Sequence, residues 1–229
     1  MAGLEAALIY AAYAHSGALP HIVRMCGSDD EAFADSLLNH EGQSILVEYK
    51  RAQADAKDET NKPLRKALFD REFPNDIQRI GRRLHFLAWG SKERTTGYYA
   101  VELQDYLSRV GREFGKAFEP AFPQPRHALD FADDFIAKRQ GASNDDLLNY
   151  LGYLARFADF QGDPKDTPMR GALICAFDDA SGIRKPLLRE FHTVGEFLAL
   201  AETILELSIR PQTQVQDQDL DQDQDLRLT

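Results

Sequence analysis

Three residues near the start of the chain, Asp35, Glu48 and Lys50, have the types and spacing for metal-assisted hydrolysis. They lie between Phe33 and Arg51, where two short apolar runs flank Asn39-His40-Glu41-Gly42-Gln43, a joint of hairpin composition. Side chains alternate along a strand, so Glu48 and Lys50 should face one way and Ile45, Val47 and Tyr49 the other. If Asp35 pairs across from Glu48 around a loop at residues 39–44, then Phe33, Asp35 and Leu37 join Glu48 and Lys50 on one face. Two carboxylates and an ammonium on a largely apolar sheet are costly to bury unless they pair or bind metal. Paired carboxylates suit a hard cation, Mg²⁺ or in its place Mn²⁺, which keeps positions open for phosphate and water. Such an ion polarises a phosphoryl oxygen and acidifies bound water. Lys50 would orient that water and stabilise developing charge. The ordinary alternative is an edge hairpin carrying a Glu, a Lys and a surface Asp. Two further acidic-x-Lys triplets, Asp55-Ala-Lys57 and Asp163-Pro-Lys165, lie in polar, turn-like stretches with no apolar strand before them.

The surrounding sequence supplies elements to hold that segment. Gly3 to His15 reads as a helix, with Leu4, Leu8 and Ala11 at spacings of three and four. Strands are expected at His21–Met25, Phe33–Leu38 and Ser44–Arg51, with a turn at residues 27–30. Residues 52–62 read as a polar loop. Basic helical stretches follow at Pro63–Phe73 and Asn75–Arg82, then an apolar strand at Leu84–Trp89 closed by Gly90. Residues 98–110 are mixed, turning helical near their end. A helical pair spans about 127–160, a hairpin around Asp179-Ala180-Ser181-Gly182 joins Gly171–Phe177 to Pro186–Phe191, and the capping-box pattern Thr193-Val194-Gly195-Glu196 opens a last helix to Ile209. The Gln-Asp alternation of 212–225 cannot build a core and reads as a disordered tail.

Asp35, then Glu48-x-Lys50 at the end of an apolar strand, with Glu5 on the helix before them, resembles the PD-(D/E)xK nuclease superfamily. Ala34 stands where the usual Pro of that motif would be. The resemblance covers about residues 1–90. It implies an α/β fold with a restriction-endonuclease-like core: a central mixed sheet flanked by helices, in the order helix, three antiparallel strands, helix, strand. By the same resemblance Asp35, Glu48, Lys50 and Glu5 are catalytic, and Asp35 and Glu48 hold Mg²⁺. A core at 1–119, a helical insert with C-terminal hairpin and helix at 120–209, and a tail at 210–229 are then expected. The implied activity is endonucleolytic hydrolysis of nucleic acid, DNA in preference to RNA, as in restriction or phage-defence effectors. A structure-specific resolvase or repair nuclease is the alternative within the enzyme class. A catalytically inactive subunit that kept the nuclease fold is the alternative outside it.

Composition sets bounds on partners. Apolar residues make up 43% and charged residues 28% of 229, ordinary for a globular protein. No apolar run approaches a membrane span, and an N-terminus without a basic region, with Glu5 inside its apolar stretch, argues against a secretory signal. Cys26 and Cys175, in apolar surroundings, read as reduced, buried thiols of a cytoplasmic protein. The net charge of −10 disfavours nucleic acid at first sight, but five Asp sit in residues 211–229. Between Lys50 and Arg94, twelve Lys or Arg face seven Asp or Glu, a basic surplus that a phosphate backbone would seek. Arg51, Gln53, Lys62, Arg65, Lys66, Arg79, Arg82 and Arg83 are candidate nucleic-acid contacts, positioning rather than reading sequence. The acidic total suggests a protein partner or homo-oligomer to complete the grip. The six His residues, scattered from His15 to His192, lack metal-ligand spacing. No Gly-rich phosphate loop or nucleophile elbow supports a small-molecule enzyme.

Overall fold

The computed structural model describes residues 2–15, 20–24, 34–92, 99–157, 163–166, 168–178 and 184–209. The expected turn at 27–30, Phe33, Cys26, the 179–182 turn and the tail lie outside them, as does the side chain of Cys175. Helix α1 (Ala2–His15) leads into β1 (His21–Arg24), β2 (Ser36–His40) and β3 (Gln43–Lys50). A 3₁₀ helix (Gln53–Asn61), α2 (Pro63–Phe69) and α3 (Asn75–Leu84) then carry the chain to β4 (His85–Lys92). After these come β5 (Tyr99–Asp105), α4 (Tyr106–Gly111), β6 (Arg126–His127), α5 (Ala128–Ile136), β7 (Ala142–Ser143) and α6 (Asn144–Ala155). The hairpin β8 (Pro168–Asp178) and β9 (Arg184–Thr193) and helix α7 (Val194–Ile209) complete the order.

The fold is α/β, with a mixed, open sheet of seven strands in the order β1-β2-β3-β4-β5-β6, and β7 beside the start of β3. Strands β1, β2 and β3 are antiparallel, β3 and β4 parallel, β4 and β5 antiparallel. A parallel pair needs a long crossover, and the 3₁₀ helix with α2 and α3 is that crossover. The sequence of helix, three antiparallel strands, helices and strand is therefore present. The β2–β3 register sets Ser36 against Val47 and His40 against Gln43. That is the expected pairing, but on a tighter turn: Glu41 and Gly42 alone make it, at φ 46° and 79°. Two central residues of positive φ suit the right-handed twist of a hairpin, and Gly42 adopts this at no steric cost.

The central strands are buried on both faces, so they read as near-continuous apolar runs. On one side Leu38, Ile45, Val47, Phe86, Ala88 and Leu103 pack with Leu4 and Leu8 of α1 and Phe131 and Phe135 of α5. On the other, Leu37, Leu46, Leu87 and Trp89 pack with Ile77 and Ile80 of α3, Tyr106 and Leu107 of α4, and Leu147 and Leu151 of α6. The helices after residue 120 are thus fitted against both faces. Thr193 caps α7, its Oγ1 accepting from Glu196 N at 3.2 Å, while the Glu196 side chain reaches back one residue beyond the cap, its Oε2 accepting from His192 N at 2.6 Å. Among the described residues no helix is long and apolar enough to cross a membrane.

The layer over Glu48 is closely fitted. A Cβ on Gly81 of α3 would stand 2.6 Å from Leu107 Cδ1 and 2.9 Å from Tyr150 Cε2. Gly81→Val should overpack this contact and destabilise by about 2 kcal/mol. In thermal unfolding that is a Tm lowered by about 4–8 °C; an unchanged Tm would mean that α3 can move off its neighbours freely.

Candidate active site

Alternation along β3 puts Glu48 and Lys50 on the face of Leu46, and the parallel register brings Leu87 beside Glu48 and Trp89 beside Lys50. Glu48 is only 2% exposed, and Lys50 Nζ lies 2.9 Å from its Oε1. Its other oxygen, Oε2, is buried with no hydrogen-bond partner. Asp35 stands where regular pairing of β2 ends. Its N–H donates to the Val47 carbonyl at 3.1 Å, and its Oδ2 accepts from Tyr49 N at 2.5 Å. The carboxylate of Asp35 therefore sits against the backbone between Glu48 and Lys50, and its charge acts on Glu48.

A second glutamate completes the cluster. The stretch 52–62, expected as a loop, is a nine-residue 3₁₀ helix, and the period of three in such a helix turns Ala56 and Glu59 inward together. Glu59 has no exposed surface, and Lys50 Nζ stands 2.6 Å from its Oε1. Lys62 Nζ lies 3.0 Å from the same atom and 2.9 Å from Glu48 Oε1. On the other oxygen of Glu59, Oε2, converge the Tyr106 hydroxyl at 2.5 Å and Arg65 Nε at 3.3 Å. Tyr106 reaches it from the first position of α4, which Asp105 caps by accepting from Ser108 N at 2.9 Å. The His85 ring stacks on Tyr106 at 4.1 Å and meets the Tyr150 hydroxyl through Nδ1 at 3.1 Å.

These placements fix the charges. Burial, the negative charge of Glu59 and that of Asp35 together push the Glu48 carboxyl up, against the pull of Lys62 and Lys50. Burial would raise Glu59 too, but Arg65, hydrogen bonds from Lys50 and Tyr106, and the charge of Lys62 hold it well below the usual carboxylate range. Burial works against the Lys50 ammonium, yet the two glutamates raise it and keep it protonated. His85 is driven far down by burial and by Arg65, so it is neutral. Two buried glutamates thus differ in direction: Arg65, Lys50, Tyr106 and Lys62 hold Glu59 down, while burial and the neighbouring carboxylates push Glu48 up.

Among the described residues, no three His, Cys, Asp or Glu side chains stand close enough to ligate one ion together. Asp35, and the Oε2 of Glu48 that has no hydrogen-bond partner, are the carboxylate oxygens here that could help to hold a divalent cation. One or two carboxylates suffice for Mg²⁺, which completes its shell with water and substrate oxygens. Glu5 stands on α1, whose apolar side packs against the opposite face of the sheet. Of the basic candidates, Arg51, Lys66, Arg79 and Arg83 are exposed, as is Gln53, and Arg82 pairs with Glu119. Arg65 is a correction. It is 1% exposed, paired with Glu59 and set over the Tyr106 ring at 5.2 Å, so its guanidinium serves the interior and not a phosphate. Sequence reasoning missed Glu59; the signal was its three-residue spacing from Ala56 and Lys62.

No family model matches the chain, and neither does any curated protein or solved structure.

The Glu59 cluster should dominate the acid stability of the fold. Breaking a buried ion pair by removing one partner costs about 3–5 kcal/mol, because the other charge is left buried. Glu59→Gln should lose stability on this scale at pH 7 in urea unfolding. The folded-state pKa of Glu59 lies below its unfolded value of about 4.3. Its contribution is therefore complete above about pH 5 and lost as the pH falls through the folded value, so wild type and variant should converge in acid. A gap that stays constant down to pH 2 would contradict this.

Proposed function

We propose that this chain is a divalent-cation-dependent phosphodiesterase of the PD-(D/E)xK nuclease type, acting on nucleic acid and on DNA in preference to RNA. One observation carries the reading: a buried glutamate with an unpartnered oxygen, flanked by Asp35 and held at 2.9 Å from a protonated lysine two residues on. Its context supports it, since the element order of α1 to β4 is the one that a restriction-endonuclease-like core uses. Asp35 and Glu48 would hold Mg²⁺, which when bound polarises a phosphoryl oxygen and acidifies water. The ionised state of Lys50 suits it to orient a nucleophilic water by hydrogen bonding and to stabilise charge on the phosphoryl oxygens. It does not act as a base, because the glutamates keep its proton in place. Exposed Arg51, Lys66, Arg79 and Arg83 flank the same stretch of chain and offer phosphate contacts. With a net charge of −10, the chain would bind DNA more firmly inside a larger assembly, such as a restriction or phage-defence complex.

The test uses the full chain with plasmid and single-stranded DNA, with and without Mg²⁺ or Mn²⁺. Cleavage should require the metal and fall by about 100-fold or more in Glu48→Ala and in Lys50→Ala. Absence of cleavage with either metal, together with absence of Mn²⁺ binding by calorimetry, would overturn the proposal and favour a non-catalytic interaction subunit.

A further inference from the structure

Lys62 and Glu59 join the site in a way that the Asp35, Glu48 and Lys50 set does not require. The two ammonium groups occupy equivalent positions: each lies within 3.0 Å of both Glu48 Oε1 and Glu59 Oε1. An ammonium has three N–H donors. Each lysine donates one hydrogen bond to Glu48 Oε1 and forms an ion pair with Glu59 Oε1, which leaves it donor capacity for another acceptor. Both lysines are partly exposed, Lys50 at 14% and Lys62 at 26%, while the two glutamates beneath them are sealed. The remaining donors therefore have access to solvent, side by side.

The two glutamates are not interchangeable. Glu59 is held from both sides, Oε1 by ion pairs with the two lysines, though with no hydrogen bond of its own, and Oε2 by Arg65 and the Tyr106 hydroxyl, so it is the anchor. Glu48 keeps Oε2 open. Local backbone geometry holds Lys62 in place as well. Its N–H donates to the Glu59 carbonyl at 3.2 Å, and Pro63 keeps it extended at φ −80° and ψ 120° where the 3₁₀ helix ends. Three carboxylates, Asp35, Glu48 and Glu59, are balanced by three cations, Lys50, Lys62 and Arg65. A divalent cation added to that set leaves a positive site that an anion would complete.

We infer that Lys50 and Lys62 form a twin-ammonium cradle for one phosphodiester phosphate, with Glu59 the positioning residue that holds both. This rests on the phosphodiesterase reading above and adds to it a second substrate-contacting cation and an anchor. The lysines would each give one hydrogen bond to the non-bridging oxygens of the same phosphate, and Glu59 touches no substrate.

The experiment is ¹H–¹⁵N spectroscopy of the lysine ammonium groups in the full chain with Mg²⁺ present, followed by single-turnover cleavage of DNA with Mn²⁺. Two slowly exchanging ammonium signals are expected, one missing in Lys50→Met and the other in Lys62→Met. Both should shift when inorganic phosphate is added. In Glu59→Asp, which keeps the charge but shortens its reach, both should broaden. Glu59→Asp and Lys62→Met should each slow cleavage at saturating DNA by about tenfold or more. In Glu59→Asp the KM for DNA and the Mn²⁺ affinity should stay near wild type, a split that loss of fold would not give. If Glu59→Asp does not fold, the two signals and Lys62→Met decide alone. Wild-type cleavage by Lys62→Met while Glu48→Ala is inactive would overturn the cradle and leave the nuclease reading standing. Failure of the Lys62 signal to appear, or to move with phosphate, would also overturn it. Two phosphate-sensitive signals in a chain that cleaves no DNA would sustain the cradle as an anion site and remove the nuclease reading instead.

Discussion

Two glutamates with almost no exposed surface, Glu48 and Glu59, share the interior on one side of the sheet, and most of the structure around them follows from that fact. Like charges in a low-dielectric setting repel strongly, and a lone buried carboxylate would take up a proton instead. Cations built between and behind them offset that repulsion, fully for Glu59 and in part for Glu48. Lys50 and Lys62 bridge the pair, and Arg65 closes the cluster from inside. Each glutamate is paired with more than one of these cations, so the cluster is held as a unit.

The fold supplies that geometry through one crossover. Strand β3 ends at Lys50, the 3₁₀ helix begins three residues later, and Pro63 starts α2 directly behind Lys62. Glu48, Lys50, Glu59, Lys62 and Arg65 are therefore all products of a single strand–helix connection of fewer than twenty residues. Strand β4 and helix α4 bring the long-range partners, His85 and Tyr106. The Asp105 cap sets the turn that aims Tyr106 at Glu59. The seven-stranded sheet and its flanking helices make this corner rigid by burying apolar residues on both faces.

Much of this could be read before any coordinates. Alternation alone separates Glu48 and Lys50 from Ile45, Val47 and Tyr49. The turn propensity of Glu41-Gly42 fixes the hairpin register to within the length of its loop. Helix periodicity places α1, α3 and α7, and the capping-box pattern marks the start of α7. What was not legible has specific physical causes. The 3₁₀ helix at 53–61 is polar almost throughout, so no apolar period announces it; only Ala56 and Glu59 face inward. Arg65 follows closely on the unannounced 3₁₀ helix that carries its partner Glu59, and its other partner, Tyr106, comes from a distant part of the chain. Asp35 keeps the expected register but stands just before β2 begins, and nothing local announces that its carboxylate accepts from Tyr49 N. Tertiary partners decided each of these outcomes over local sequence.

The central claim is that Asp35 and Glu48 would together seat a divalent ion beside this ionic cluster. A crystal structure of the chain grown or soaked with Mn²⁺, with anomalous differences recorded at the manganese edge, tests it most directly. The account predicts an anomalous peak within coordination distance of both carboxylates, with Glu59 still turned to Arg65 and Tyr106. A peak elsewhere, or none at saturating Mn²⁺ with Glu48 still tied to Lys50 and Lys62, would contradict it.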